Sequence, residues 1–554
     1  MTWLMNLMRP DLCALAAYRS ARKEAEGFAP DIGVDANEFP WPPFGSSSVQ
    51  GKMNRYPEPQ SAALLGRLAA LWNIAPDHIL VGRGSDEGID VLIRMFCRAG
   101  IDQILICPPT YGMYKVAATV QGAEVLKVSL CADGNLDVAA ILTACTPQTK
   151  LIFIPSPSAP MGKLMLREDI VSLCCARAEQ SLIVIDEAYI EFTDHPEGML
   201  PELPNIPNLV ILRTLSKAHA LAGERIGTVI AAPELIQNLL KILAPYPLTQ
   251  SSIRAALDVL SPSGLIQNAE RRRVLVAERE RMARLLLQSP LIVSVFPSVA
   301  NFLLTQTVDS AAVMAQLRRS GILARDRNSE IANTVRFSIG TPEENNLVLQ
   351  ALGVSAEVLD SPPSLRLLSA HRGTKETTID VTINLDAPNF LQINTGIGFF
   401  DHMLAQLASH GGFGLALTCK GDLHVDPHHS IEDCALALGE ALNAALGDKR
   451  GAGRFGFTTP LDEALAQVTI DLSGRPCFVF TGSFPAAMVG EMPSDMVPHF
   501  FQSLANALKA SLHLSVQGEN THHMIEATFK ATGRALRQAF RREGQEIPST
   551  KGVL

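Results

Sequence analysis

A pair of adjacent histidines followed by a glutamate occurs twice in the last third of the chain. The two copies are His428-His429-Ser-Ile-Glu432 and His522-His523-Met-Ile-Glu526. On a helix, residues four apart lie nearly above one another, whereas adjacent residues point about 100° apart. We therefore predict that the first histidine and the glutamate of each copy share one metal ion, while the second histidine serves a different ion.

An upstream histidine is duplicated as well, because His402 begins the segment HMLAQLA and His499 begins the similar segment HFFQSLA. The resulting six histidines and two glutamates divide into two ions with three histidines and one glutamate each. Four protein ligands of this mixed type leave open positions for substrate on an octahedral divalent ion. The ligand geometry alone does not identify the metal, since it permits iron, cobalt, nickel or zinc. A histidine-rich surface that binds metal adventitiously is the competing interpretation, which the duplication disfavours.

The first part of the chain contains a glycine-rich turn, a strand-end aspartate and a lysine, in that order. The turn GRGSDE (82–87) follows the apolar run HILV, Asp186 ends the run SLIVID, and Lys217 precedes Arg225 in LSKAHALAGERIG. A pyridoxal-phosphate (PLP) enzyme needs a phosphate cradle, a carboxylate for the pyridine nitrogen and a Schiff-base lysine. Each feature alone has another interpretation, since a strand-end Asp-Glu also fits a Walker B or metal site.

Composition restricts the class of protein. A length of 554 residues suggests about three or four packing units. The net charge of −9, with no block of Lys or Arg, argues against a nucleic-acid partner. No apolar run approaches a membrane span, the N-terminus lacks an early basic region, and the ten cysteines form no CxxC pair. We expect a cytoplasmic protein with reduced thiols and no membrane partner.

The elements that position these residues differ between the two parts of the chain. Upstream, unalternating apolar runs predict a largely parallel α/β sheet, followed by a helical stretch at about 252–287 and further strands in FPSVANFLLTQ and NTVRFSIGT. Residues 357–365 are predicted to be a linker because they contain adjacent prolines and no periodicity. Downstream, ETTIDVTINLD alternates like an antiparallel strand with one exposed face. The histidine repeats, together with Leu423-His-Val425 and Leu512-His-Leu514, predict two similar α+β halves.

Residues from about 8 to 352 resemble histidinol-phosphate aminotransferase. The similar segments are AYRSAR (17–22), DANEFP (35–40), RYPEPQ (55–60), GRGSDE (82–87), PPTYGMY (108–114), DEAY (186–189), LSKAHALAGERIG (215–227), ILARD (322–326) and VRFSIGT (335–341). The resemblance implies a fold-type I PLP enzyme that works as a homodimer, spanning residues 1–356. Its large, mainly parallel-sheet domain would cover about 40–250, and its small α+β domain about 1–30 plus 251–354.

The same resemblance implies roles for individual residues. Lys217 would be the Schiff-base lysine and proton shuttle, Asp186 would pair with the pyridine nitrogen, and Tyr111 would stack on the ring. The remaining cofactor contacts would be made by Tyr189, Ser85, Asp86, Ser216, Arg225 and, from the partner subunit, Tyr56. Substrate would be held by Arg336 at its carboxylate and by Arg325 and Tyr18 at its phosphate. One position departs from the pattern: Ala159 stands where the family has an asparagine, which predicts a weaker aminotransferase.

Residues 366–554 resemble imidazoleglycerol-phosphate dehydratase over their whole length. The similar segments are RGTKET (372–377), GFFDHML (398–404), ASHGGF (408–413), DPHHSIED (426–433), LGDKRGAGRFG (446–456), PLDEALA (460–466), DLSGRP (471–476), HFFQSLA (499–505), HHMIEATFKA (522–531) and PSTKG (548–552). The resemblance implies two Mn²⁺ ions per site, sites built between neighbouring subunits of a larger homo-oligomeric shell, and Glu376 as the catalytic base. Substrate phosphate would be bound by Arg454, Arg475, Lys530, Ser549 and Lys551.

Taken together, the two resemblances imply a bifunctional enzyme of histidine biosynthesis. The dehydratase would convert imidazoleglycerol phosphate to imidazole acetol phosphate, and the transaminase would use glutamate to convert that product to histidinol phosphate. Two alternatives concern the first half. It would either act on another phosphorylated amino or keto acid, or serve as a scaffold without catalysis, which the alanine at position 159 makes conceivable.

Overall fold

The computed structural model describes residues 2–16, 36–39, 41, 53–355, 366–388, 390–449, 451–456, 459–542 and 547–549. Residues 357–365, the predicted linker, lie outside this set. The chain divides into two compact units, one formed by Met1–Ser261 with Arg271–Pro362 and one formed by Pro262–Glu270 with Pro363–Leu554. Within the described residues, no helix has both the length and the apolar content that crossing a membrane requires.

A seven-stranded sheet dominates the first unit. Its strands in chain order are β1 (Ile79–Gly82), β2 (Gln103–Ile106), β3 (Glu124–Lys127), β4 (Thr149–Pro155), β5 (Leu182–Asp186), β6 (Leu209–Thr214) and β7 (Gly227–Ile230). In space the order is β1-β7-β6-β5-β4-β2-β3. All neighbours are parallel except β7, which is antiparallel to both β1 and β6. This arrangement confirms the predicted large, mainly parallel sheet.

Helices flank this sheet and bury its apolar strands. They are α1 (Thr2–Leu7), α2 (Pro10–Cys13), α3 (Ala62–Trp72), α4 (Gly84–Phe96), α5 (Met113–Gln121), α6 (Val138–Ala144), α7 (Arg167–Ala176) and α8 (Pro233–Leu239), with short 3-10 turns at Pro76–His78, Ile190–Phe192 and Leu200–Glu202. Every residue of β5 is buried, which explains why its sequence does not alternate. Leu4, Leu7 and Met8 pack in the core of this sheet, which differs from the predicted position of residues 1–30 in the small domain.

The smaller lobe of this unit follows two further helices, α9 (Gln250–Val259) and α10 (Pro262–Leu286). It contains β8 (Ile292–Val295), β9 (Phe302–Thr307), β10 (Arg325–Asp326) and β11 (Thr334–Ser338), with α11 (Ser310–Arg319) and α12 (Pro342–Ala351). The strands form an antiparallel sheet in the order β10-β11-β9-β8. The predicted strands in FLLTQ and TVRFS are therefore confirmed.

The second unit contains two four-strand paths of the same design. The first path is β12 (Leu367–Gly373), β13 (Thr377–Asn384), β15 (Gly414–Gly421) and β14 (Leu391–Asn394), in that spatial order. The second path is β16 (Phe455–Gly456), β18 (Ala464–Asp471), β22 (Ser511–Gln517) and β19 (Cys477–Thr481), with β17 (Thr459–Leu461) also paired to β18. Each path has antiparallel pairs and ends in one parallel pair. A separate two-stranded sheet pairs β20 (Met488–Val489) with β21 (Met492–Pro493).

Two helices accompany each path, which confirms the predicted pair of similar halves. They are α13 (Gly398–Gly411) and α14 (His428–Leu446) in the first half, and α15 (Met496–Leu508) and α16 (Thr521–Phe540) in the second. One part of the predicted repeat is wrong. Leu512–Leu514 lie inside β22, whereas Leu423–Val425 lie in the turn after β15, so the true counterpart of the former is the run Leu415–Leu417 within β15. The Leu-x-apolar pattern occurs both in a strand and in a turn, so it does not identify equivalent positions in the two halves.

Candidate active sites

A pocket in the first unit gathers most of the residues that the sequence analysis selected for the cofactor. Its walls are formed by Ser85, Asp86, Tyr111, Pro155, Pro157, Ala159, Asp186, Ala188, Tyr189, Thr214, Ser216, Lys217 and Arg225. They come from the start of α4 and from the carboxyl ends of β4, β5 and β6. Parallel strands end at the same edge of a sheet, which is why residues so distant in the chain meet there.

The carboxylate of Asp186 lies at the buried floor of this pocket. Tyr114 donates a hydrogen bond of 2.7 Å to Asp186 Oδ2, and the backbone N–H of Ala188 donates one of 3.2 Å to Oδ1. Burial raises the pKa of Asp186 to about 6, although the Tyr114 hydrogen bond opposes this shift. A positively charged ring nitrogen bound at this carboxylate would offset the cost of its burial.

The N-terminus of α4 forms the other end of the pocket. Asp86 accepts a hydrogen bond of 2.9 Å from the Tyr111 hydroxyl and one of 3.2 Å from the Arg225 guanidinium. A Cβ on Gly227 would lie 2.3 Å from the backbone nitrogen of Ser85, so only glycine lets β7 approach the helix start this closely. Backbone N–H groups at a helix N-terminus, with an arginine beside them, suit a phosphate group.

Lys217 lies beside the aromatic wall of the pocket, with its Nζ 5.7 Å from the centre of the Tyr189 ring. Burial, followed by the nearby charges of Arg336 and Arg225, lowers the pKa of Lys217 below its usual value. A lysine with a lowered pKa has a larger fraction of neutral amine, the form that attacks a carbonyl carbon. Arg336 itself lies over the Phe302 ring at 5.0 Å, on β11 of the smaller lobe.

Of four further residues from the sequence analysis, three lie at different places relative to this pocket. Tyr56 stacks on Tyr246, with ring centres 4.6 Å apart, and does not line the pocket. Arg325 is exposed on β10. Tyr18 lies outside the described residues. Ala159 lines the pocket and packs with Tyr189 and Phe302, so the departure from the family pattern lies within the pocket itself.

The second unit brings the predicted metal ligands into two clusters. In the first cluster, the ligand atoms of His428, Glu432 and His499 all lie within 4.8 Å of one another. His428 Nε2 lies 3.6 Å from Glu432 Oε2, and His499 Nε2 lies 3.5 Å from Glu432 Oε1. The buried Nε2 atom of His499 has no hydrogen-bond partner. An unpartnered nitrogen beside a carboxylate fits a metal ion between them.

The second cluster mirrors the first with the halves exchanged. His522 Nε2 lies 3.5 Å from Glu526 Oε2, and His402 Nε2 lies 3.9 Å from Glu526 Oε1. Lys530 Nζ also lies 2.8 Å from Glu526 Oε1. Each cluster therefore combines the histidine and glutamate of one half with the upstream histidine of the other half.

The second histidine of each pair points away from these clusters, as the helical geometry predicts. His429 Nδ1 lies 3.1 Å from Asp422, and His523 Nδ1 lies 2.9 Å from Glu463. A carboxylate at one ring nitrogen orients the imidazole so that the other nitrogen is free to bind a metal. The sequence predicts three histidines and one glutamate for each ion. Within a single chain, each cluster has two histidines and one glutamate, and the second histidine of each pair faces a carboxylate outside the cluster.

Glu376, the predicted base, lies on the same side as His429, with its Oε2 3.8 Å from His429 Nε2. The segment that carries it is fixed to α14, because Asp433 accepts hydrogen bonds from Arg372 at 2.9 Å and from Thr377 at 2.6 Å. Glu376 precedes β13 and Glu463 precedes β18, so the two carboxylates occupy equivalent positions in the two halves.

The residues predicted for the substrate phosphate are only partly brought together. Arg454 donates to Asp471 at 2.6 Å and to the backbone oxygen of Pro548 at 2.8 Å, so the segment that contains Ser549 lies beside it. Lys530 pairs with the glutamate of the second cluster, and Arg475 lies in the turn between β18 and β19. Lys551 lies outside the described residues.

Sequence reasoning missed four polar residues of these sites: Tyr114, Thr214, Asp422 and Glu463. Tyr114 occurs in the segment PPTYGMY, three residues after Tyr111, and nothing in that spacing indicates a contact with Asp186. For Glu463 a signal existed, because it precedes a strand in the second half as Glu376 does in the first.

Comparison with known families divides the chain in the same way. The family described as Aminotransferase class I and II matches residues 33–352. The family described as Imidazoleglycerol-phosphate dehydratase matches residues 395–536.

Individual relatives cover both parts. A histidinol-phosphate aminotransferase from Stenotrophomonas maltophilia (strain R551-3) is 42% identical over 356 residues, which cover 63% of this chain and 96% of the relative. The histidine biosynthesis bifunctional protein HisB of the same strain is 53% identical over 202 residues, which cover 36% of this chain and 56% of that protein. The crystal structure of histidinol-phosphate aminotransferase from Sinorhizobium meliloti in complex with pyridoxal-5'-phosphate is 25% identical, with a TM-score of 0.51, over 57% of this chain and 88% of that chain.

Proposed function

Because the chain belongs to the class I and II aminotransferase family, to which histidinol-phosphate aminotransferases belong, and continues into an imidazoleglycerol-phosphate dehydratase domain, we propose that it is a bifunctional enzyme of histidine biosynthesis. The second unit dehydrates imidazoleglycerol phosphate to imidazole acetol phosphate. The first unit then transaminates that keto compound with glutamate to histidinol phosphate. The observation that carries this proposal is that Asp186 and Lys217 line one pocket in the first unit, while His428, Glu432 and His499 lie together in the second.

PLP is the proposed cofactor of the first unit, where it supplies a ring that accepts electrons during amino transfer. The pocket fits it at three points. The Asp186 carboxylate would hold the proton of the ring nitrogen, the start of α4 with Arg225 would bind the phosphate, and Tyr111 would contact the ring. Thr214 Oγ1 and Ser216 Oγ are hydrogen-bonded at 2.9 Å, which orients the Ser216 hydroxyl in the pocket.

Lys217 is the proposed catalytic residue of the first unit. Its lowered pKa provides a neutral amine that accepts a proton from the substrate carbon and returns it elsewhere. Arg336, which is partly buried, binds the carboxylate of the amino donor as a bidentate fork. Arg325 on the neighbouring strand and Tyr18 are the proposed contacts of the substrate phosphate. Tyr56 of a second subunit is a proposed contact of the cofactor.

Two Mn²⁺ ions are the proposed cofactors of the second unit, where they bind and polarise the imidazole substrate. His428, Glu432 and His499 would hold one ion, and the unpartnered nitrogen of His499 supports this choice. His522, Glu526 and His402 would hold the other. Glu376 removes the carbon-bound proton, and Arg454, Arg475, Lys530, Ser549 and Lys551 bind the phosphate.

The orientation of the second histidines supports assembly with other copies of this chain. His429 and His523 face away from the clusters of their own chain, each held by a carboxylate. We therefore propose that they supply the third histidine to an ion held by a neighbouring subunit, together with Glu376. The aminotransferase unit would form dimers in addition.

A coupled assay tests both activities in one experiment. Imidazoleglycerol phosphate and glutamate are added to the Mn²⁺- and PLP-loaded enzyme, and both the keto compound and histidinol phosphate are measured. Lys217→Ala should accumulate the keto compound, and Glu376→Gln should leave the first substrate unconsumed. Lys115→Ala and Glu491→Gln are controls of the same charge change, at exposed residues that neither line the cofactor pocket nor belong to the metal clusters. Full activity of Lys217→Ala or Glu376→Gln would refute the corresponding role.

The alanine at position 159 favours a second candidate, in which the first unit binds PLP without efficient transamination. Half-transamination separates the two cases, because glutamate converts the bound cofactor to its amine form only in a working aminotransferase. A PLP absorbance band that glutamate leaves unchanged would identify a scaffold. Conversion with O-phosphorylated amino acids, but not with histidinol phosphate, would identify another substrate.

A further inference from the structure

A pocket of about 510 Å³ in the second unit is rich in arginine, and none of the metal-cluster residues lines it. Arg366, Arg534, Arg537 and Arg541 line it, and Leu385 and Phe540 form an apolar floor. No aspartate or glutamate is among the described residues that line it. We refer to it as the basic pocket. Its volume is in the range of small-molecule sites.

The charges of the basic pocket are largely uncompensated. Arg366 is paired with Asp386 at 2.8 Å and donates to the backbone oxygen of Phe540 at 2.6 Å. The side chains of Arg534, Arg537 and Arg541 make no hydrogen bond or ion pair within the part of the chain that the structure describes. In a chain of net charge −9, three unpaired guanidinium groups on one wall are conspicuous.

Arg534 and Arg537 lie three residues apart on one face of helix α16, and Arg541 directly follows the end of this helix. Like charges at this spacing repel each other, and the partial negative charge of the helix C-terminus offsets only part of that repulsion. An anion bound among them would offset the rest. The electrostatic energy of these three arginines is therefore lower when an anion is bound among them.

The backbone of a neighbouring helix end positions one of these arginines. Gly412 follows α13 with φ +68°, and a Cβ at this residue would lie 3.2 Å from Arg537 Nε. Glycine thus serves both the left-handed conformation and the close approach of the guanidinium. Arg537 lies over this helix end and faces the pocket.

We propose that the basic pocket binds a diphosphate group, either as free pyrophosphate or as part of a nucleotide. Three guanidinium groups match the charge of a diphosphate at neutral pH better than that of a single phosphate ester. Arginine is suited to this role because its planar fork makes two parallel hydrogen bonds to phosphate oxygens. The apolar floor of Leu385 and Phe540 would contact the uncharged part of a nucleotide.

This site differs from the proposed phosphate contacts of the dehydratase. Lys530 pairs with Glu526 of the second metal cluster, and Arg454 is paired with Asp471. Neither of them lines the basic pocket. Arg537 and Arg541 lie about two and three helical turns beyond Lys530, or about 10 and 16 Å along the helix. The inference is independent of the function proposed for either unit.

Isothermal titration of the full-length enzyme with inorganic pyrophosphate, and separately with ADP, tests the proposal. We expect one saturable site per chain, and we expect the Arg537→Gln/Arg541→Gln variant to bind roughly tenfold more weakly or worse. Arg318→Gln is the matched control, because it removes an exposed arginine from the last turn of α11. Pyrophosphate or ADP that chelates bound metal would produce the same heat in the original protein, the double variant and the control, so a difference between them reports on the basic pocket.

Each result has a defined meaning. Weaker binding in the double variant with unchanged binding in the control supports the site, and a preference for ADP identifies a nucleotide as its ligand. Equal binding in the double variant and the original protein overturns the proposal. So does loss of binding in Lys530→Gln alone, because the anion would then lie at the dehydratase phosphate site. If the double variant unfolds at a lower temperature, Arg534→Gln at the exposed rim gives the same comparison.

Discussion

Tyr114 donates a 2.7 Å hydrogen bond to Asp186 Oδ2 at the floor of the aminotransferase pocket. Both groups are buried, and Tyr114 also stacks on Phe153 with ring centres 4.9 Å apart. The tyrosine therefore has little freedom to move away from the carboxylate. Its hydrogen bond favours the ionised form of Asp186, which is the form that a protonated pyridine nitrogen needs.

Tyr114→Phe should weaken PLP binding by roughly tenfold, because a buried hydrogen bond to a charged group is lost. The pKa of Asp186 should rise above about 6, so the acidic limb of kcat/KM should move to higher pH. Spectral titration of the bound cofactor measures both effects. Thr119→Val, which removes a hydroxyl from the exposed face of α5, is the control. An unchanged pH profile would leave Tyr114 with a packing role alone.

Asp186→Asn should change how the stability of the cofactor-free protein depends on pH. The folded-state pKa of Asp186 is raised from 3.8 to about 6, so this carboxyl stabilises the fold below about pH 4 and loses that contribution as the pH rises through 6. The loss corresponds to roughly 3 kcal/mol. Urea unfolding at pH 5 and 7 should therefore show a smaller decrease in Asp186→Asn than in the original protein. An equal decrease in both would contradict the assignment.

Ala159→Asn should increase aminotransferase activity, because the amide would restore a hydrogen bond that the family pattern provides. We expect kcat/KM for the keto substrate to rise by roughly tenfold, the value of one such bond. Ala139→Asn on the exposed face of α6 is the control. If PLP binding is retained while activity stays the same or falls, the alanine is not the cause of any weakness in this half.

The crossed composition of the metal clusters predicts which variants act on the same ion. His499→Ala and Glu432→Ala should each remove one Mn²⁺ per chain, and the double variant should lose no more than either alone. His499→Ala with Glu526→Ala should lose both ions, because these residues belong to different clusters. Metal analysis after removal of loosely bound Mn²⁺ measures the content. His371→Ala, an exposed histidine paired with Asp380, is the control.

The opposite pairing, in which His499 and Glu526 behave as one unit, would show that each half completes its own ion. The crossing would then be absent from the loaded enzyme.

The features that the sequence predicted are those that local pattern determines. The buried strand before Asp186 and the divergence of His428 and His429 follow from periodicity alone, and the structure has both. Contacts made across the fold were not predictable in this way. Tyr114 reaches Asp186 from a separate helix, and His499 reaches Glu432 from the other half, so neither contact has a signature in the spacing. The N-terminal helix packs against a different lobe from the predicted one, because Leu4 and Leu7 indicate burial but not the core in which they are buried.

The exchange of histidines between the two halves also limits how the second unit can be divided. A fragment that contains only one half has a complete histidine-glutamate helix but lacks the remaining imidazole of that cluster, because His499 and His402 lie on opposite sides of any cut between them. Neither fragment could chelate an ion with three ligands by itself. A stand-alone half would need to pair with a twin, and the present polypeptide makes that pairing permanent by carrying both copies in tandem.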